Sequence, residues 1–194
     1  FGLLGTLSFN GNKTVTTGGG GAVLTDDEAL AARVRHLATT AKRPHAWEYV
    51  HDAVAWNHRM PNLNAALGVA QMDRLDDMLA RKRALAARYE AAARDADGWS
   101  IVAPLAGTAS NRWLVAARLV GDDAGAVRDD VLAAAHAAGY LCRPAWQPLH
   151  TLPMYLDAPR AALPVATALH ARLVNVPSSA RLGGAPAPVR GGAA

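Results

Sequence analysis

The sequence predicts an α/β protein, and three observations carry that expectation. Two short β-branched or apolar stretches flank a glycine run near the start. A long pattern of apolar residues at helical spacing follows from Pro61. Beyond Gly98, strand-like and helix-like stretches alternate to about residue 177.

Taken in order, Thr14–Thr17 is β-branched and reads as a strand, Gly18–Gly21 as a turn, and Ala22–Thr25 as a second strand. Thr25-Asp26-Asp27-Glu28 has a capping residue with a carboxylate three positions on, which marks a helix start. That helix continues through Leu30, Val34 and Leu37. Residues 39–61 are irregular and hold His45, His51 and His58, the kind of loop that often carries function. From Pro61 one long helix is expected, with Leu63, Leu67, Ala70, Leu75, Met78, Leu79, Leu85 and Tyr89 on its apolar stripe. It ends near Asp97-Gly98. A second, α+β unit then begins. Trp113–Val120 reads as a strand, and Ala126–Ala138 as a helix closed by Gly139. Tyr140–Cys142 reads as a short strand, Leu163–Leu173 as a helix, and Val174–Pro177 as extended. The expected division is therefore 1–97, 98–180, and a Gly/Ala/Pro-rich tail over 181–194 without fixed structure.

Composition narrows the class. Of 194 residues, 51% are hydrophobic and 19% charged, so a core can form and wholesale disorder is excluded. The apolar runs are short and interrupted, so no transmembrane helix and no membrane partner are expected. The net charge of +4 is scattered and almost all arginine, which does not point to nucleic acid. The single cysteine, Cys142, fits a buried thiol in a cytoplasmic protein. The start, Phe1-Gly2-Leu3-Leu4, has no methionine and reads as a chain cut from something longer.

Three stretches hold the candidate chemistry. In Ser8-Phe9-Asn10-Gly11-Asn12-Lys13-Thr14, a lone lysine sits in a small-residue loop. Held there and partly desolvated, its amine becomes a nucleophile for an aldehyde, while the Ser8 hydroxyl and backbone N–H groups can hold a phosphate. The alternative is a solvated surface lysine. A nucleotide-binding P-loop is excluded, because Asn12 intervenes between Gly11 and Lys13 and no glycine has the required spacing. The second stretch, Asn57-His58-Arg59-Met60-Pro61-Asn62-Leu63, places polar groups before a helix N-terminus, where an anion is favoured. Asn57 and Arg59 read equally as loop caps. The histidines, six and seven residues apart, match no metal signature, so no metal is expected. In the third stretch, residues 143–155, Arg143 and His150 suit an anion and Trp146 a flat ring. A rigid connecting loop is the other reading.

Together these stretches resemble the DegT/DnrJ/StrS family of pyridoxal-phosphate (PLP) sugar aminotransferases, from about Leu7 to Ser179. The similarity is nearest the branch acting on 4-keto sugars of legionaminic-acid and exopolysaccharide type. Its landmarks here are Asn12–Gly18, Asn57–Gly68, Asn111–Leu114, Arg143-Pro144, Leu149-His150, Leu152–Tyr155 and Asn175–Ser179. The resemblance implies the aspartate-aminotransferase type of fold (fold type I), here incomplete. Residues 1–97 would close the cofactor-binding large domain with its linking helix, and 98–180 would be the small domain. It implies that Lys13 carries the PLP, that Ser8 binds its phosphate, and that Asn57 reaches the phosphate in a neighbouring subunit of a homodimer. Glutamate is the implied amino donor and a nucleotide-linked keto sugar the acceptor. A lysine at position 13 separates the chain from dehydrating relatives, which carry histidine there. The upstream half should supply the ring that stacks on the cofactor and the Asp that pairs with its nitrogen, so the chain is expected to be inactive alone. A non-catalytic relative that binds no cofactor is the competing expectation.

Overall fold

The computed structural model of the chain describes residues 2–121 and 123–184. The chain divides into two compact units, Phe1–Asp76 and Asp77–Ala194, each with its own architecture.

In the first unit, β1 (Gly5–Ser8) pairs antiparallel with β2 (Gly21–Leu24), with Ser8 opposite Gly21. The second expected strand is present as β2, but its partner is β1, and Thr14–Thr17 is not a strand. Those threonines satisfy the backbone locally instead. Thr16 Oγ1 donates to the Phe9 carbonyl (3.1 Å) and accepts from Gly18 N (2.9 Å), and Thr17 N also donates to Phe9 O (3.0 Å). Such short-range bonds compete with a ladder. The lysine stretch is therefore the loop joining β1 to β2. Helix α1 (Glu28–Ala38) starts two residues later than the Thr25 signal suggested: Asp27 is the cap, and its carboxylate accepts from Leu30 N at 2.9 Å. Helix α2 (Asn62–Met72) follows the irregular loop.

The expected single long helix is two. A turn at Asp73-Arg74 separates α2 from α3 (Leu75–Arg94). The apolar stripe changes character across it. Leu63 is 84% exposed, whereas Leu85 and Ala86 in α3 are buried.

The second unit, which takes in α3 from Asp77, forms a four-stranded antiparallel sheet ordered β3-β4-β6-β5. These strands are Trp99–Ile101, Val115–Leu119, Leu173–Val176 and Arg143–Pro144 respectively. Val115, Ala117 and Leu119 are buried while Ala116 and Arg118 are more open, the period-two pattern of a sheet packed on one face. Helices α4 (Ala124–Ala137) and α5 (Pro164–Arg172) pack on each other and on β4. Gly139 ends α4 as expected. Its φ of +83° allows Gly139 N to reach His136 O (2.9 Å) and Tyr140 N to reach Ala135 O (2.9 Å), a Schellman closure. That closure occupies Tyr140, so the strand expected at 140–142 begins at Arg143 instead. β3 had no sequence signal that singled it out. The expectation of a tail without fixed structure does not hold over 181–184: Ala180–Gly183 is a 3-10 turn, with Arg88 donating to Leu182 O (3.2 Å) and Arg81 to Gly184 O (3.2 Å). The remainder of that expectation, 185–194, lies outside the described residues. Among the described residues no helix is long and apolar enough to cross a membrane.

Candidate functional site

The lysine loop is fastened at both ends. Phe9 N donates to Gly20 O (2.9 Å), continuing the β1–β2 pairing, and Lys13 N donates to Asn10 O (3.0 Å), which closes a tight turn. Ser8 lies at the end of β1, exposed, with Asn10 N 3.4 Å from its hydroxyl. Lys13 is half-buried. Beside it, Thr14 Oγ1 is buried with no hydrogen-bond partner among the described residues. A buried, unsatisfied hydroxyl costs free energy, so the loop is suited to receive a further polar group next to the lysine.

The second stretch packs against this loop. Asn64 Nδ2 donates to the buried Thr17 carbonyl, and Thr17 Oγ1 donates to Gly19 O. A methyl group on Gly68 would lie 2.9 Å from Thr17 Cγ2, and one on Gly20, whose φ is +103°, would lie 3.1 Å from Met60 Cε. The glycine run and the glycine of α2 thus permit a close approach that any larger residue would block. Two of the three sequence landmarks are thereby brought together. The N-cap of α2 is Pro61, which makes no side-chain cap bond to its first N–H groups.

Asn57 is placed by α1. Trp56 N donates to Leu37 O (3.0 Å) and His58 N to Ala38 O (2.9 Å), so the amides on either side of Asn57 satisfy the terminal carbonyls of the helix. Thr39 and Asn57 form an antiparallel bridge. The Asn57 side chain is exposed. Of the three histidines, His51 bonds Thr40 O (2.7 Å), His58 stacks on Trp56, and His45 lies edge-on to Trp47. Asp52 pairs with His36 at 2.6 Å, and that bond holds its carboxyl below the usual value.

In the second unit, Arg143 is exposed on β5 opposite Asn175. Trp146 is 68% exposed, its ring 6.1 Å from that of Trp113 and tilted by 36°. His150 is half-buried, with Nε2 3.3 Å from Thr167 Oγ1, so it faces α5 at least as much as solvent. These residues and the lysine loop belong to different units.

Sequence reasoning missed Thr14, Thr17, Asn64 and Lys82. Asn64 and Gly68 are one helical turn apart, a signal that α2 presents one face to the glycine run. Lys82 is 5% exposed and donates to the carbonyls of Trp113 (3.2 Å) and Ser178. It falls between Met78 and Leu85 on the apolar stripe, where one of only three lysines in an arginine-rich chain is conspicuous.

The α/β fold is that of aminotransferases, matched over about half of their chains. The crystal structure of DesI in the presence of its TDP-sugar product superposes with a TM-score of 0.81 at 29% identity, over 93% of this chain and 45% of that one. The chain belongs to the DegT/DnrJ/EryC1/StrS aminotransferase family, whose model matches residues 1–188. It is 37% identical to EpsN of Bacillus subtilis, named as a pyridoxal phosphate-dependent aminotransferase, over 80% of this chain and 39% of that protein. It is 34% identical to the GDP-perosamine synthase of Caulobacter vibrioides, over 91% of this chain and 47% of the synthase. The chain thus spans half or less of the length of these relatives.

Proposed function

We propose that this chain is the C-terminal part of an aminotransferase that moves an amino group from an amino acid, glutamate by preference, to a nucleotide-linked 4-keto sugar for amino-sugar and exopolysaccharide synthesis. The observation that carries this reading is the half-buried Lys13 in a loop fastened at Phe9, Asn10 and Gly20, beside the unsatisfied Thr14 hydroxyl. That loop fits pyridoxal phosphate: Lys13 would hold its aldehyde carbon and Ser8 its phosphate. When bound, the cofactor supplies an electron sink for the substrate carbon. Lys13 then takes the proton from the α-carbon of the donor and later returns one to the sugar carbon that gains nitrogen, as base and then acid. Asn57 donates to the phosphate in a second copy of the chain, so that two copies complete each other's sites. Arg143, Trp146 and His150 contact the sugar nucleotide. GDP-perosamine synthase and the product complex of DesI support the nucleotide-sugar class. Working on such anionic substrates, the protein is cytoplasmic.

Because the chain spans half or less of its relatives, it binds the cofactor productively only beside the missing half. The test is borohydride reduction with added pyridoxal phosphate, followed by peptide mass spectrometry, on this chain and on a version with an upstream half restored. A reduced adduct on Lys13 of the restored protein, lost in Lys13→Ala, is expected. No adduct at Lys13 in the restored protein would overturn the reading in favour of a non-catalytic relative. Detectable turnover by the isolated chain would refute its inactivity alone.

A further inference from the structure

The loop that carries Asn57 makes an excursion before it reaches that residue. After α1, Thr40 (φ 66°) and the fully buried Ala41 (φ 49°) take left-handed backbone conformations without being glycine. Each such residue costs about 1–2 kcal/mol. The chain then runs out and back between Lys42 and His51, which form an antiparallel bridge. Arg43 N donates to Val50 O (2.8 Å) and Asp52 N to Ala41 O (3.1 Å). At the neck of this excursion, His51 Nδ1 bonds Thr40 O (2.7 Å) and the Asp52 carboxylate meets His36 Nε2 at 2.6 Å. His36 stands in the last turn of α1, one residue before the carbonyls of Leu37 and Ala38 that hold Trp56 and His58. One helix end thus grips the loop twice, by a side-chain pair at Asp52 and by backbone bonds on either side of Asn57.

We propose that the His36–Asp52 pair is a positioning clasp that keeps the strained neck closed and thereby fixes Asn57 for its phosphate contact. The proposal rests on the reading of Asn57 given above. His36 and Asp52 act through the segment 56–58. Without the clasp, the left-handed residues at the neck relax, and the 56–58 segment leaves the end of α1.

Amide exchange on this chain tests the clasp directly. In Asp52→Asn, exchange at Trp56 and His58 should rise by about two- to fivefold while α1 residues 30–35 stay protected. Unchanged protection at Trp56 and His58 overturns the proposal. If Asp52→Asn loosens the whole of α1, Asp52→Glu decides: restored protection supports the clasp, and continued loss overturns it. Retention of pyridoxal phosphate by the protein with an upstream half restored, measured by equilibrium dialysis, gives the second readout. Asn57→Ala should lower retention, and adding Asp52→Asn should lower it no further. Additive losses overturn a role through Asn57. If Asn57→Ala leaves retention unchanged while exchange still responds to Asp52→Asn, the clasp stands and the phosphate role of Asn57 falls.

Discussion

Replacing Lys82 with methionine sets two opposing effects against each other. The Lys82 residue is 5% exposed, and its amine donates to the carbonyls of Trp113 and Ser178. Trp113 O also accepts from Ser178 Oγ at 3.0 Å, so Lys82→Met leaves it that bond but strips the lysine bond from Ser178 O. A fully buried carbonyl that loses its donor costs about 1–3 kcal/mol, and the half-buried Ser178 carbonyl falls toward the lower end. Against this, methionine removes the desolvation of a cation while filling nearly the same volume. We expect the lost bonds to win, by about 1–2 kcal/mol at neutral pH, or roughly 0.5–1 M in the urea midpoint. The difference should also depend on pH. Burial pushes the lysine below its ordinary value of 10.5, so the folded chain binds fewer protons than the unfolded chain between the lowered value and 10.5. Stability of the parent chain therefore rises with pH through that window, and Lys82→Met lacks the rise. Urea unfolding of both chains at pH 7 and pH 10.5, followed by circular dichroism, measures this. A methionine variant as stable as the parent at pH 7, with a gap that does not widen by pH 10.5, would refute the reasoning.

Gly68→Ala should gain about 1 kcal/mol of helix propensity yet lose more by pressing on Thr17 Cγ2; thermal melts should show net destabilisation, reversed when Thr17→Ser removes that methyl. Gly139→Ala should cost about 1 kcal/mol, because the Schellman closure of α4 needs a positive φ; an unchanged melting temperature would count against it. The Asp52 carboxyl should titrate below its ordinary 3.8 in a carbon-detected NMR titration, so its pairing is complete above that pH and fades as pH falls through the lowered value. His36→Gln should bring it back toward 3.8. In the restored enzyme, Arg143→Ala and Trp146→Ala should raise KM for the sugar nucleotide more than for the amino donor; an equal rise for both would remove these residues from the sugar site.

The sequence by itself determined the kind of fold and the family. Local signals suffice for these: helical spacing from Leu75 to Tyr89, the Gly139 stop, the strand-like run 113–120, and ordered landmarks around Lys13, Asn57 and Arg143. Tertiary structure decided which neighbour each local signal obeyed. Thr14–Thr17 has strand propensity, but Phe9 O captures Thr16 and Thr17, and the strand falls at Gly5–Ser8 instead. The single long helix breaks at Asp73-Arg74, a turn that no proline or glycine announces. Lys82 reads as polar in sequence and is buried, because carbonyls far along the chain reach its ammonium. The contact of Gly68 with Thr17, and the grip of α1 on either side of Asn57, join residues that no short-range pattern pairs. Periodicity and capping depend on neighbours a few residues apart, so sequence carries them. Close approach and carbonyl sharing depend on where the chain returns, and only the folded backbone supplies that.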